Sequence, residues 1–162
     1  NGLVLPNDST TPFKLPCYIP PDNASASLFN HEVDDARNRG GWKIVLVHGF
    51  KGGADGAFQP VAIGEFLSAV NYAKGFNDVW IGTMQDVAAY WRAQELFSTL
   101  TPSSSGSSKV WSWTLPAHFP PNKCLRVTVP GGTLTQGGQT LPWNPQGFYE
   151  VSLDAGPLTL TP

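Results

Sequence analysis

Charge is scarce in this sequence. Asp, Glu, Lys and Arg together make up 14% of its 162 residues, and the net charge is −2. With no basic run or patch there is nothing to grip a phosphate backbone, so nucleic acid is excluded as an expected partner. Long hydrophobic runs are missing as well. None approaches the ~20 residues that span a bilayer, so no membrane partner is expected. Cysteine is limited to Cys17 and Cys124. Two thiols so far apart in sequence can close one disulfide in an oxidising compartment or stay as two buried thiols. Two cysteines alone make no zinc site. No signal peptide is visible, and a chain opening at Asn1 without Met reads as processed or excised.

What the sequence has instead is turn chemistry and aromatic residues. Gly occurs 17 times and Pro 15 times, against a hydrophobic fraction of 41%. Low charge with abundant Pro, Gly, Ser and Thr suits a secreted or extracellular protein. Asn7-Asp8-Ser9 and Asn23-Ala24-Ser25 fit the glycosylation sequon, a pattern short enough to arise by chance.

The most informative stretch is Trp42 to Gly53. Lys43 to Val47 is a short apolar run bounded by Gly40-Gly41 and Gly49, the signature of a buried strand, and it delivers His48 to the strand's carboxyl end. In α/β architectures the loops at that end carry the chemistry. Residues 28–39 read as a helix capped by Ser27, with Phe29, Val33 and Ala36 on one side and Gly40-Gly41 as the stop. His31 falls in its first turn, on the solvated face. Pro60 to Ala73 reads as a second helix, with Pro60 in its first turn. Val79 to Gly82 reads as a second buried strand and Met84 to Leu96 as a third helix. Asp86 serves there as a charge near the helix N-terminus. Alternation of this kind implies a parallel sheet with right-handed crossovers. Two strands do not make such a sheet, so others must come from the first 27 residues or from further chain.

Thr101 to Ser108 reads as a Ser-rich linker. Beyond it, Val110–Leu115, Leu125–Val129, Tyr149–Leu153 and Leu158–Leu160 alternate in polarity between glycine turns. This predicts an antiparallel β unit of four or five strands. Trp111, Trp113, Trp143, Phe148 and Tyr149 lie in it, either as core or, if exposed in a row, as a platform for stacking sugars.

Two families compete for the His48 segment. Ile44-Val45-Leu46-Val47-His48-Gly49 resembles the oxyanion segment of α/β-hydrolases, but the required Gly-x-Ser-x-Gly elbow is absent. His118, the only later histidine, sits between prolines. The second resemblance runs further. Val33-Asp34-Asp35-Ala36, Gly40-Gly41-Trp42 and Ile44 to Gly49 are similar to the last portion of NodB-homology polysaccharide deacetylases, carbohydrate esterase family 4. So are Phe76 to Thr83 and Asp86 to Tyr90. The tail from Leu125 to Leu160 resembles the β extension of some bacterial members.

This resemblance implies an α/β fold: the C-terminal part of an incomplete (β/α) barrel in residues 1–100, the linker 101–108, and a small antiparallel β unit in 109–162. It implies that His48, in Leu46-Val47-His48, is the general acid that protonates the departing amine or alcohol. An imidazole, which exchanges its proton near neutrality, suits that role. Leu46 would line the pocket for the acetyl methyl group. The family also uses a divalent metal, with zinc the expected ion, held by an Asp and two His, with a second Asp as base. Those motifs, Thr-Phe-Asp-Asp and His-x-x-x-His, are absent here. The resemblance therefore implies an acetylated polysaccharide as substrate and the N-terminal part of the same enzyme as partner, with this chain inactive alone. The alternative is a non-catalytic glycan-binding or structural module on a degenerate deacetylase scaffold. Asp55, beside glycines, reads as ordinary turn chemistry.

Overall fold

The computed structural model describes every residue except 1, 7, 10, 12 and 54–56. The chain is mixed α/β, with three helices and antiparallel sheets. Among the described residues there is no closed barrel. It divides into two compact units, Asn1–Met84 and Gln85–Pro162.

In the first unit, β1 (Leu3–Val4) pairs antiparallel with β2 (Trp42–Lys43). Between them in sequence lies α1 (Ala26–Arg39), and α2 (Ile63–Lys74) follows. The helices form where the apolar period requires them, but their starts differ from expectation. Ser25, not Ser27, is the N-cap of α1, and its hydroxyl makes no cap bond. The Ala26 N–H donates instead to Glu65 Oε2 at 2.6 Å, so a carboxylate from α2 satisfies one of the free amides at the helix start. At the other end Gly40 takes φ 60 and its N–H returns to Ala36 and Arg37, the left-handed stop that glycine permits without strain. Pro60 does not open α2. Val61 is drawn into a parallel bridge with Phe50, and its N–H bonds to the Gly49 carbonyl at 3.1 Å. That bond holds its backbone out of the helix.

The core of this unit is Ala24, Phe29, Val61 and Ala69, with Tyr18, Val47, Phe50 and Phe66 packed against it. Phe66 stands edge-on to Phe29, with centroids 5.7 Å apart. The expected parallel sheet is not formed. The run Ile44–Val47 makes one isolated parallel bridge, Tyr18 to Val45, and Val79–Gly82 lies outside any strand. Strands persist only where a neighbour accepts their hydrogen bonds, and two short runs do not supply that neighbour to each other here.

In the second unit, α3 (Met84–Ser98) precedes eight strands. Its residues Tyr90, Ala93 and Phe97 cluster with Leu125 and Leu153. The helix therefore groups with the β strands, whereas the sequence division placed it with residues 1–100. The Ser-rich stretch is not a linker. Strand β3 (Ser103–Ser105) pairs with β4 (Ser108–Trp111), and Gly106 at φ 62 makes the two-residue turn between them. β10 (Leu158–Thr161) lies between β4 and β6 (Thr133–Gln136), and β7 (Gln139–Thr140) completes a five-stranded antiparallel sheet. A second sheet joins β5 (Cys124–Val127), β9 (Phe148–Ser152) and β8 (Trp143–Asn144). The two sheets close around Leu134, Val151 and Leu158. Cys17 and Cys124 are both free and exposed, so neither the disulfide nor the pair of buried thiols is formed.

One buried polar residue joins the sheets. Gln136, 6% exposed, accepts from Ser152 N–H at 3.0 Å and donates to the Ser152 carbonyl at 2.7 Å and the Gly156 carbonyl at 3.1 Å. Its amide replaces a missing strand neighbour for Ser152. A leucine of similar size would leave those backbone groups buried and unpaired, so Gln136→Leu should lower stability by about 1–3 kcal/mol. Urea unfolding checks this; a variant within a few tenths of wild type would contradict it.

Candidate functional site

The site is built from Lys43 outward. Its ammonium, on a side chain only 5% exposed, meets Glu32 Oε2 at 2.6 Å and Asp35 Oδ2 at 3.0 Å, both on α1. Burial alone would lower the Lys43 pKa. The hydrogen bonds it donates to Glu32 and Asp35 overcome that and hold the ammonium above its ordinary range. The Lys43 hydrogen bond in turn holds the Asp35 carboxyl below the usual carboxylate value. Burial, then the charge of Glu32, raises the nearby Tyr18 hydroxyl against an opposing effect of Lys43. The other helix acids are engaged as well. Asp34 accepts from the Tyr72 hydroxyl at 2.9 Å, and Arg37 forks onto Asp78 at 2.9 and 3.0 Å while lying 3.7 Å over the Phe76 ring.

From this anchor the chain runs out extended. Tyr18 N–H donates to the Ile44 carbonyl at 2.8 Å and its carbonyl accepts from Leu46 N–H at 2.9 Å. Gly2, at φ +61, lies so close that a Cβ there would meet Tyr18 N at 2.7 Å, so β1 and Tyr18 share this edge of the run. Val45, between the two bonded residues, turns its own N–H and carbonyl to the opposite edge. No strand among the described residues pairs with that edge. Val47 goes into the core, while Leu46, two residues before His48, is 41% exposed.

His48 is exposed at the end of the run. Its ring meets Phe58 with centroids 5.6 Å apart at an interplanar angle of 84°. The structure thus brings His48 together with Phe58, a residue the sequence reading missed. The only available signal for Phe58 was an aromatic side chain in an otherwise Gly-rich loop. His31 is exposed on α1, past its first turn. His118, in the second unit, is exposed at φ 60 between its prolines. Asp86 is in the first turn of α3 and takes Lys123 Nζ at 2.6 Å. Asp55 lies outside the described residues.

Among the described residues, no three His, Cys, Asp or Glu side chains gather to hold a metal ion. The described residues therefore offer no ligand set for the divalent metal implied by the deacetylase resemblance. The aromatic residues of the β unit divide. Trp111, Trp113 and Tyr149 pack against its core, and Trp113 Nε1 donates to the Leu153 carbonyl at 2.9 Å. Phe148 is partly buried, with Arg126 4.4 Å over its ring. Trp143, edge-on to Tyr149, is 51% exposed. Among the described residues, no helix is long and apolar enough to cross a membrane. No protein-family model, curated protein or solved structure matches this chain.

Replacing Lys43 by Met leaves two carboxylates facing each other without their cation. Stability at pH 7 should fall by about 1.5–3 kcal/mol. Because the Asp35 pKa is held below 3.8, its share of the stability is full above the unfolded value and is lost as pH falls through the folded one. The gap between wild type and Lys43→Met should therefore narrow in acid, as read by urea unfolding at pH 7 and pH 3. A gap of constant size would contradict the ion-pair account.

Proposed function

We propose that this chain is the C-terminal part of a secreted, metal-dependent polysaccharide deacetylase, with His48 as its general acid. The observation that carries the reading is the placement of Leu46 and His48. An apolar side chain and an imidazole, two residues apart and both exposed, end an extended run that, among the described residues, pairs along one edge alone. The opposite edge, at Val45, is where a further barrel strand would pair, making the run part of an incomplete (β/α) barrel. Leu46, Trp80 and Ile81 are also exposed in the first unit.

On this reading, an acetylated polysaccharide lies over His48 and Leu46 receives the acetyl methyl group. The Nε2–H or Nδ1–H of protonated His48 is delivered to the leaving amine or alcohol as the acyl carbon–heteroatom bond breaks. The divalent metal and the base would belong to the N-terminal part of the enzyme. The chain by itself should be inactive.

A non-catalytic glycan-binding module is the second reading, and the half-exposed Trp143 favours it. The two separate cleanly. In the complete enzyme, His48→Ala should cut deacetylation by about 10²–10⁴-fold with an unchanged circular dichroism spectrum, while Trp143→Ala leaves turnover near wild type. Full activity of His48→Ala would sink the catalytic assignment. Glycan binding that survives His48→Ala and disappears with Trp143→Ala would favour the binding module.

A further inference from the structure

We propose that Phe58 is a positioning residue for His48 and the wall on which a pyranose ring of the acetylated glycan stacks; this rests on the deacetylase reading. The two rings touch although Phe58 is 68% exposed and His48 is exposed too. Burial does not hold that contact, so the backbone must. Val61 N–H bonds to the carbonyl of Gly49, the residue after His48, and Lys51 N–H bonds to the Val61 carbonyl at 2.9 Å. This bridge returns the far end of the Gly-rich loop to the end of the His48 run. Between Phe58 and Pro60, Gln59 sits at φ 47, a left-handed conformation that costs a side-chain-bearing residue energy. Such strain collects where a neighbouring group must be held in place.

The contact has two consequences. An edge-to-face neighbour limits rotation of the imidazole about its side-chain bonds, so its N–H groups keep a fixed direction towards the leaving group. The Phe58 ring is 68% exposed, so much of its surface is open to solvent. Aromatic faces are electron-rich, and the C–H bonds on a pyranose face carry slight positive charge, so the two surfaces complement each other. A sugar stacked on Phe58 would hold its acetyl-bearing carbon over His48.

The test is NMR of the full 162-residue chain with labelled histidine, titrated with an N-acetylglucosamine trimer. In wild type, the His48 ring protons should be displaced by the Phe58 ring current and should move further on adding the trimer. Phe58→Tyr should preserve both effects. Phe58→Leu should abolish the displacement and weaken trimer binding at least tenfold. Unchanged His48 shifts in Phe58→Leu overturn the positioning role. Equal trimer responses in Phe58→Leu and wild type overturn the stacking role and leave the deacetylase reading standing. No response of wild-type His48 to the trimer overturns the stacking role and leaves the deacetylase reading to the His48→Ala test in the complete enzyme.

Discussion

The first unit depends on the ammonium of Lys43. A nearly buried cation is tolerated only when its charge and its hydrogen bonds are met. Glu32 and Asp35, three residues apart on one face of α1, meet both. That requirement fixes the register between α1 and the extended run, because a shift of either by one residue would separate the ammonium from a carboxylate. Everything downstream follows from the register. Tyr18 bonds along one edge of the run, Val47 enters the core, and Leu46 and His48 come out at its end.

The two units solve the burial problem differently. The second closes two antiparallel sheets around Leu134, Val151 and Leu158, and the buried amide of Gln136 supplies the hydrogen bonds that Ser152 would otherwise lack. Trp143 is its one large apolar side chain with substantial exposure among the described residues. The first unit has a smaller core, and Leu46, Leu67, Trp80 and Ile81 remain exposed. Among the described residues, an edge without a paired strand and exposed apolar side chains occur together in the unit that carries His48.

Much of the local structure was legible in the sequence. Three helices follow from apolar spacing and from Gly40 and Gly75 at their ends. Several strands of the β unit follow from alternation. The misjudged features are those fixed by distant residues. Glu65 caps α1 from another helix, so no local pattern marks Ser25. Val61 leaves the second helix because it bridges to Phe50. The parallel sheet failed because periodicity reports a tendency to extend and says nothing about whether a partner strand exists. The serine run became a hairpin because Gly106 offers a turn that serine composition conceals. The place of His48 at the end of an apolar run was legible, whereas its contact with Phe58, ten residues on, follows from no local pattern.

The most direct measurement on the central claim is intact mass spectrometry of the protein purified from its native source, with and without denaturant. The account predicts further polypeptide of barrel size, either continuous with this sequence or released from it by denaturant, carrying an Asp and two His around a metal. A single species at the 17.4 kDa of this sequence, unchanged by denaturant, would contradict it.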